Sequence, residues 1–324
     1  MAIVYSVDSY GSDARLSATA DFIELLALGG RSITLADLAD FLSDAQVRRL
    51  GHERMVVGGG EEEWGESSDA EGTAVEGDDD LGPSREVARS VMNLIEQRSI
   101  VLGDKYPFVF GAGDGIAHVH LRPASVVEDS PYVGLLALTT AHAYQIDTGV
   151  DVTQAFEDTV ARAMRARIPR TVHFGGMRRS VGFDKALKQA GVDLMLPTTL
   201  KGVVLSTAIK DGGADTLAHL DWGDSRIGRW TFVGQVTCGR SDSWESKANE
   251  ANRGKWRVLL GDVLRPSPFL AVPHHVEDLM LRRLVEDSQT LVLDRLRIVP
   301  YLSSLSVDER RVAERIRETT VEYL

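Results

Sequence analysis

Asp215 and Gln235 sit on two segments that read as neighbouring strands. Ala214 to Asp221 alternates polar and apolar, Trp222-Gly223-Asp224-Ser225 supplies turn chemistry, and Arg229 to Thr237 is rich in β-formers. The pair reads as a hairpin. Side chains alternate faces along a strand, which groups Asp215 with Leu217 and His219, and Gln235 with Thr237. A carboxylate opening one strand and an amide oxygen on the next can converge, and two such oxygens suit a hard divalent cation such as Mg²⁺. Gln235 lies within an apolar run, where an unpartnered amide costs about 1–3 kcal/mol, so a metal, a water or the Asp215 loop must satisfy it. Asp211 reads as support for the Gly212-Gly213 turn.

Lys210-Asp211-Gly212-Gly213-Ala214-Asp215, followed by Phe232-Val233-Gly234-Gln235-Val236-Thr237, resembles the core of the PD-(D/E)xK nuclease superfamily, over roughly residues 150–300. In that family a metal-binding Asp opens the second core strand, often within Gly-Gly-x-Asp. A (D/E/Q)-x-K tripeptide follows on the third strand, and a Glu comes from a preceding helix. Asp215 and Gln235 match the first two positions, and Glu157 in Gln154-Ala155-Phe156-Glu157-Asp158 matches the helical Glu. Thr237 stands where the family has Lys. Some members carry that Lys in the following helix, where Ser243-Trp244-Glu245-Ser246-Lys247 offers one.

The resemblance implies an α/β fold with a restriction-endonuclease-like mixed-sheet core flanked by helices, behind a mainly helical N-terminal region. It further implies hydrolysis of DNA phosphodiester bonds in bacterial anti-phage defence. Mg²⁺ or Mn²⁺ would be held by Asp215, Gln235 and Glu157. Lys247 would orient the attacking water and stabilise charge on the scissile phosphate.

Arg162, Arg165, Arg167, Arg170, Arg178, Arg179, Lys185 and Lys188 form the densest basic region. It reads as a solvated face or, more sharply, as a track for phosphates, with Arg165, Arg178, Arg179 and Lys185 the expected nucleic-acid contacts. His118 and His120 alternate on one strand without a third ligand nearby, which favours structural histidines. Gly111-Ala112-Gly113-Asp114-Gly115 lacks the following helix that a dinucleotide loop requires. Gly223-Asp224-Ser225 is explained by the hairpin turn rather than by an esterase serine.

Cys238 alone cannot form an internal disulfide, and it reads as a buried thiol directly after a core strand. The chain carries a net charge of −12, but Glu61 to Asp80 contains ten acidic residues and no Lys or Arg. Most of the acidity is therefore local, and the remainder is compatible with a polyanionic partner. No apolar run approaches the roughly 18–20 residues of a membrane span, and the opening residues carry no basic-then-apolar leader pattern. A cytoplasmic protein is expected.

The helical signals are Ala18, Phe22, Leu25 and Leu26 within 13–50, Arg85 to Gln97, Tyr132 to Tyr144, Thr153 to Arg167 with Thr153 as N-cap, Phe183 to Gly191, Ser243 to Arg257, and Val276 to Val285. Strands are expected at Tyr106 to Phe110, Lys201 to Ala208, Phe269 to Val272 and near Thr290 to Arg297. These place a helical region at 1–57, an acidic linker at 58–82, a mixed region at 83–150 and the nuclease-like domain at 151–324. Two further function classes fit the same residues. One is a catalytically inactive module that binds nucleic acid or a protein partner, for which Thr237 argues. The other is a subunit working beside a separate motor ATPase or another defence-system subunit, since the chain has no Walker-type loop of its own; self-association as a homo-oligomer fits any of these readings.

Overall fold

The structure is a computed structural model that describes residues 2–4, 6, 9–11, 14–44, 82–113, 116–122, 129–199, 213–224 and 226–322. The acidic segment, the strand expected at Lys201 to Ala208, Asp211 and Ser225 lie outside the described residues. The fold is α/β, with a mainly helical N-terminal region.

The N-terminal part runs β1 (Ala2–Val4), α1 (Arg15–Leu28), β2 (Ile33–Thr34), α2 (35–44) and α3 (Gly82–Leu102). The chain continues through β3 (Phe108–Gly113), β4 (Ile116–Leu121) and α4 (Pro131–Ala143). Then come α5 (Val152–Arg167), β5 (Arg170–His173), α6 (Phe174–Val181), α7 (Phe183–Leu194), β6 (Thr216–Leu220) and β7 (Trp230–Val236). The last part is α8 (Trp244–Ala248), α9 (Arg253–Leu259), β8 (Ser267–Ala271), α10 (Asp278–Ser288), β9 (Leu291–Leu293), α11 (Arg295–Ile298), α12 (Val307–Arg317) and β10 (Thr320–Glu322).

A five-stranded mixed sheet ordered β5-β6-β7-β8-β9 organises the C-terminal part. β5, β6 and β7 pair antiparallel, while β7, β8 and β9 run parallel through helical crossovers. Its strands are apolar on both faces because both faces are covered. Ala218, Val236 and Phe269 join Phe156 and Val160 of α5 on one side; Leu217 and Val233 join Leu187 of α7 and Trp256 of α9 on the other. The first of these cores also takes in Ile3, Phe22 and Ile23 near the N-terminus and Ile316 near the C-terminus. β1 pairs in parallel with β10, and β2-β4-β3 form a small antiparallel sheet.

Several boundaries differ from the sequence expectation for identifiable reasons. Asp151, not Thr153, caps α5, its carboxylate accepting the Gln154 N–H at 3.0 Å. α7 runs past Gly191 to Leu194 and ends on Met195 in the left-handed region at φ 55°. Gly191 serves close packing instead, since a Cβ there would stand 2.4 Å from Thr198 Oγ1. The helix expected from Ser243 to Arg257 is two helices, α8 and α9, because Asn252 leaves helical geometry to cap the Lys255 N–H at 2.9 Å.

A buried ionic group ties these elements together. Arg98 Nη1 lies 2.7 Å from Asp21 Oδ1 and 2.9 Å from Glu24 Oε1, and Arg295 Nη2 lies 2.7 Å from Asp21 Oδ2. All four side chains are wholly buried. Removing one partner leaves an uncompensated charge in the core, at a cost of about 3–5 kcal/mol. Arg295→Leu should therefore lower the urea-unfolding free energy by about that amount. A loss below about 1 kcal/mol would mean that the group contributes no net cohesion.

Candidate active site

Asp215 stands just before β6, at the end of the sheet where β7 finishes. Its backbone is fixed twice: its N–H donates to the Gly234 carbonyl and its carbonyl accepts the Gly175 N–H, each at 2.8 Å. Oδ2 accepts the Val236 N–H at 2.9 Å, so the carboxylate closes the end of the β6–β7 ladder. Oδ1 accepts no hydrogen bond from the described residues and turns toward Gly175.

Glu157 arrives from the second turn of α5, beneath the same end of the sheet. A Cβ on Gly175 would stand 2.6 Å from Glu157 Oε2, 3.4 Å from Asp215 Oδ1 and 3.4 Å from Arg179 Nη1. The two carboxylates and the guanidinium thus converge on a point that only a glycine leaves open. Gly175 follows β5 directly, and β5 exists because Pro169 ends the α5 pattern and turns the chain into an extended run.

Glu157 has two partners of its own. Arg179 donates through Nη1 to Oε1 at 3.0 Å and through Nη2 to Oε2 at 2.6 Å; His173 Nε2 lies 2.8 Å from Oε2. Burial alone would raise the Glu157 carboxyl, but hydrogen bonds from His173 and Arg179 outweigh it and hold it below the ordinary range. Asp215 is the reverse case. Burial pushes it up to about 6, the Glu157 charge adds to that, and the Val236 N–H with Arg178 and Arg179 only partly offsets the rise. One acid of the pair is satisfied as an anion and its neighbour is not.

Gln235 lies on the face of β7 shared with Thr231 and Val233, against α7 and α9. Its Nε2 comes within 3.2 Å of where a Gly213 Cβ would be, and the Glu250 carbonyl within 2.6 Å of the same point. Gly213 has φ +64°, so side chain and conformation both demand glycine there. This packing seats the turn that follows α8 against the Asp215 turn. Lys247, on α8, is ion-paired with Glu250 at 2.7 Å and half exposed.

The structure therefore brings Glu157 and Asp215 together, sets Gln235 and the α8 turn against the Gly213 side of the same turn, and leaves Lys247 holding Glu250. Of the expected nucleic-acid contacts, Arg179 binds Glu157 while remaining 39% exposed at its side chain, and Arg178 acts electrostatically on Asp215. Arg165 Nε donates to the Thr171 carbonyl at 3.2 Å from an exposed position, and Lys185 is exposed on α7. Arg162, in the same basic region, is paired with Glu309. His173 and Gly175 are additions that the sequence reading missed. The signal available was Phe174-Gly175-Gly176 directly after a short strand, a place where backbone approaches a neighbour closely.

His118 and His120 stack on β4 with ring centroids 5.5 Å apart. Cys238 is buried, and burial, with smaller contributions from Glu157 and Asp151, pushes its thiol far above the ordinary range. No helix among the described residues is long and apolar enough to cross a membrane.

Among the described residues, no group of three His, Cys, Asp or Glu side chains is placed to hold a metal ion. A divalent cation here would rest on fewer protein ligands plus water, the habit of Mg²⁺. The donor chemistry fits that arrangement. Asp215 keeps one oxygen without a hydrogen bond from the described residues, and its proton affinity is raised by burial and by a second carboxylate, the conditions a cation relieves. Comparison with family models, with curated proteins and with solved structures finds no match.

The raised Asp215 carboxyl has a stability consequence in the absence of metal. Its folded value of about 6 exceeds the unfolded value, so its contribution is fully present below about pH 4 and is lost as pH rises through 6. Asp215→Asn keeps an oxygen for the Val236 N–H and removes the charge. It should be more stable than the parent at pH 7.5 by up to about 2 kcal/mol, with the gap closing toward pH 4. A variant no more stable than the parent at either pH would show that the Asp215 charge is already compensated.

Proposed function

We propose that this chain is a metal-dependent nuclease that hydrolyses DNA phosphodiester bonds at the Asp215 end of the mixed sheet. The observation that carries the reading is the convergence of the Glu157 and Asp215 carboxylates on Gly175, with one Asp215 oxygen left open. Element order supports it as well. A helix bearing Glu157 is followed by β5, the helices α6 and α7, the antiparallel β6 and β7, the helices α8 and α9, and the parallel β8. This order is similar to a restriction-endonuclease-like core with two helices inserted after its first strand. The resemblance of the Asp215 and Gln235 segments adds DNA as the substrate and anti-phage defence in the bacterial cytoplasm as the setting.

Asp215 and Gln235 would hold Mg²⁺ or Mn²⁺, with Glu157 ligating directly or through water. A bound ion of this kind lowers the pKa of coordinated water and neutralises charge on the phosphoryl oxygens. Glu157 also fixes Arg179 beside the site, so that a cation faces an incoming phosphate without closing over Asp215. Lys247 must leave Glu250 to reach a phosphate. That exposed pair is worth at most about 1 kcal/mol, so polyanion binding can open it. Arg165, Arg178 and Lys185 extend the positive surface for the DNA backbone, whose binding would weaken with salt.

Plasmid nicking with Mg²⁺ and with EDTA tests the reading. Asp215→Ala should abolish the Mg²⁺-dependent cut, and Lys247→Ala should slow it at least about tenfold, roughly 1.4 kcal/mol, with little change in DNA affinity. Mg²⁺ should also raise the thermal midpoint of the parent at pH 7.5 and leave that of Asp215→Ala unmoved.

A second reading rests on a specific observation. Arg179 and His173 occupy the Glu157 carboxylate, and Thr237 stands in the lysine position, as suits a module that binds nucleic acid or a partner without cutting. DNA binding by a parent chain that neither cuts nor responds to Mg²⁺ would favour it. Co-purification with a motor ATPase would add the role of a subunit in a larger assembly.

A further inference from the structure

At the other end of the β6–β7 pair, on the face covered by α5, the packing opens. A cleft of about 720 Å³ lies between α5, the sheet and the segment after α11. That volume falls within the range of small-molecule sites. Met164 and Val160 form one wall, Leu220, Phe232 and Leu293 the floor, and Trp230 and Tyr301 the mouth. Trp230 is half exposed, yet its indole N–H is satisfied by Ser267 Oγ at 3.0 Å, and its ring stacks with Phe232 at 5.5 Å. The aromatic faces are thus fixed by contacts behind them.

Among the described residues, two charged side chains line this cleft, and both are arginines. Arg167 lies 6.0 Å above the Tyr301 ring, and no carboxylate among the described residues pairs with it. Arg297 donates through Nη1 to the Val292 carbonyl at 2.7 Å and likewise forms no ion pair among the described residues. The remaining described lining is apolar; the buried Asp294, which attracts Arg297, stands outside it. An apolar cavity rimmed by two guanidiniums complements a molecule with an apolar body and one anionic end.

We propose that this cleft binds a small anionic amphiphile, with its apolar body between α5 and the sheet and its anionic group held by Arg167 and Arg297. The site is separate from Asp215 and does not depend on the nuclease reading. Its floor is the same β6–β7 pair whose other end carries Asp215 and Gln235, so occupancy would stiffen that pair.

Isothermal titration of the full chain tests the proposal with three twelve-carbon probes below their micellar concentrations: dodecanoate, dodecanol and dodecyltrimethylammonium. Dodecanoate should bind with one-to-one stoichiometry and at least about tenfold more tightly than the cationic probe. Arg167→Glu/Arg297→Glu, two changes on exposed side chains, should abolish or reverse that preference. Tyr301→Ala should weaken all probes alike. The unfolding midpoint of each variant, measured without ligand, separates lost binding from lost fold. Equal affinity for the three probes, an unchanged preference in the double variant, or no binding would overturn the proposal. So would a concentration-dependent dimer that Tyr301→Ala dissolves, because the cleft would then belong to a second copy of the chain.

Discussion

The architecture depends on the neutralisation of two buried arginines. Arg98 comes from α3, Arg295 from α11, and Asp21 and Glu24 from α1, so no element can place its charge in the core alone. Charges taken from water cost several kcal/mol each, and only close geometry with further hydrogen bonds returns that cost. Here the geometry is close. Tyr132 donates to Glu24 Oε2 at 2.8 Å, Tyr106 to Oε1 at 2.5 Å, and Arg295 Nε to the Pro273 carbonyl at 2.9 Å. Arg98 Nε also meets His275 Nδ1 at 3.1 Å. Burial, assisted by both arginines, pushes that imidazole down to about 2, so it stays neutral and can accept. The N-terminal helices are thereby fastened to the segment that follows β8, and through it to the sheet. The pairing of side chains from three helices is consistent with a specificity role for such a group.

At the sheet end the same physics is left unfinished. Glu157 is surrounded by donors while Asp215, close by, keeps an open oxygen and a raised proton affinity. Arg98 and Arg295 meet Asp21 and Glu24 within 3.8 Å, whereas Asp215 is only partly offset by Arg178 and Arg179. Groups with perturbed proton affinities gather at functional sites, which makes Asp215 a candidate. Two glycines keep the place open. Gly175 lets the carboxylates approach, and Gly213 admits the Gln235 amide and the turn after α8.

Much of the sheet was legible in the sequence. The β6–β7 hairpin followed from alternation and turn chemistry, β8 from an apolar run, and α5 from its spaced Phe156, Val160 and Met164. These are local signals, and local signals survive folding. What escaped was set by contacts distant in sequence. Nothing in Asp21 or Glu24 announces burial, because the arginine partners of Asp21 are 77 and 274 residues away and the tyrosine partners of Glu24 are 82 and 108 away. The division of Ser243 to Arg257 into two helices depended on one asparagine preferring a cap to a helix interior. Gly191 looked like a helix end and is a contact surface, a difference only the neighbouring Thr198 reveals.

The site was legible in part, and for a related reason. Motif spacing singled out Asp215, Gln235 and Glu157 as candidates, but not that Glu157 would be held by His173 and Arg179. That pairing changes the chemistry the residue can perform. A carboxylate with a bidentate guanidinium is a poorer metal ligand than a free one and a better anchor for a cation facing phosphate. Asp215 and Glu157 therefore divide two tasks that the motif alone would assign to both. Asp215 has the open oxygen and the incentive to bind a cation, while Glu157 fixes positive charge beside it. On the proposed reading, a cation at Asp215 and the Arg179 guanidinium would attract the same phosphate without competing for one ligand.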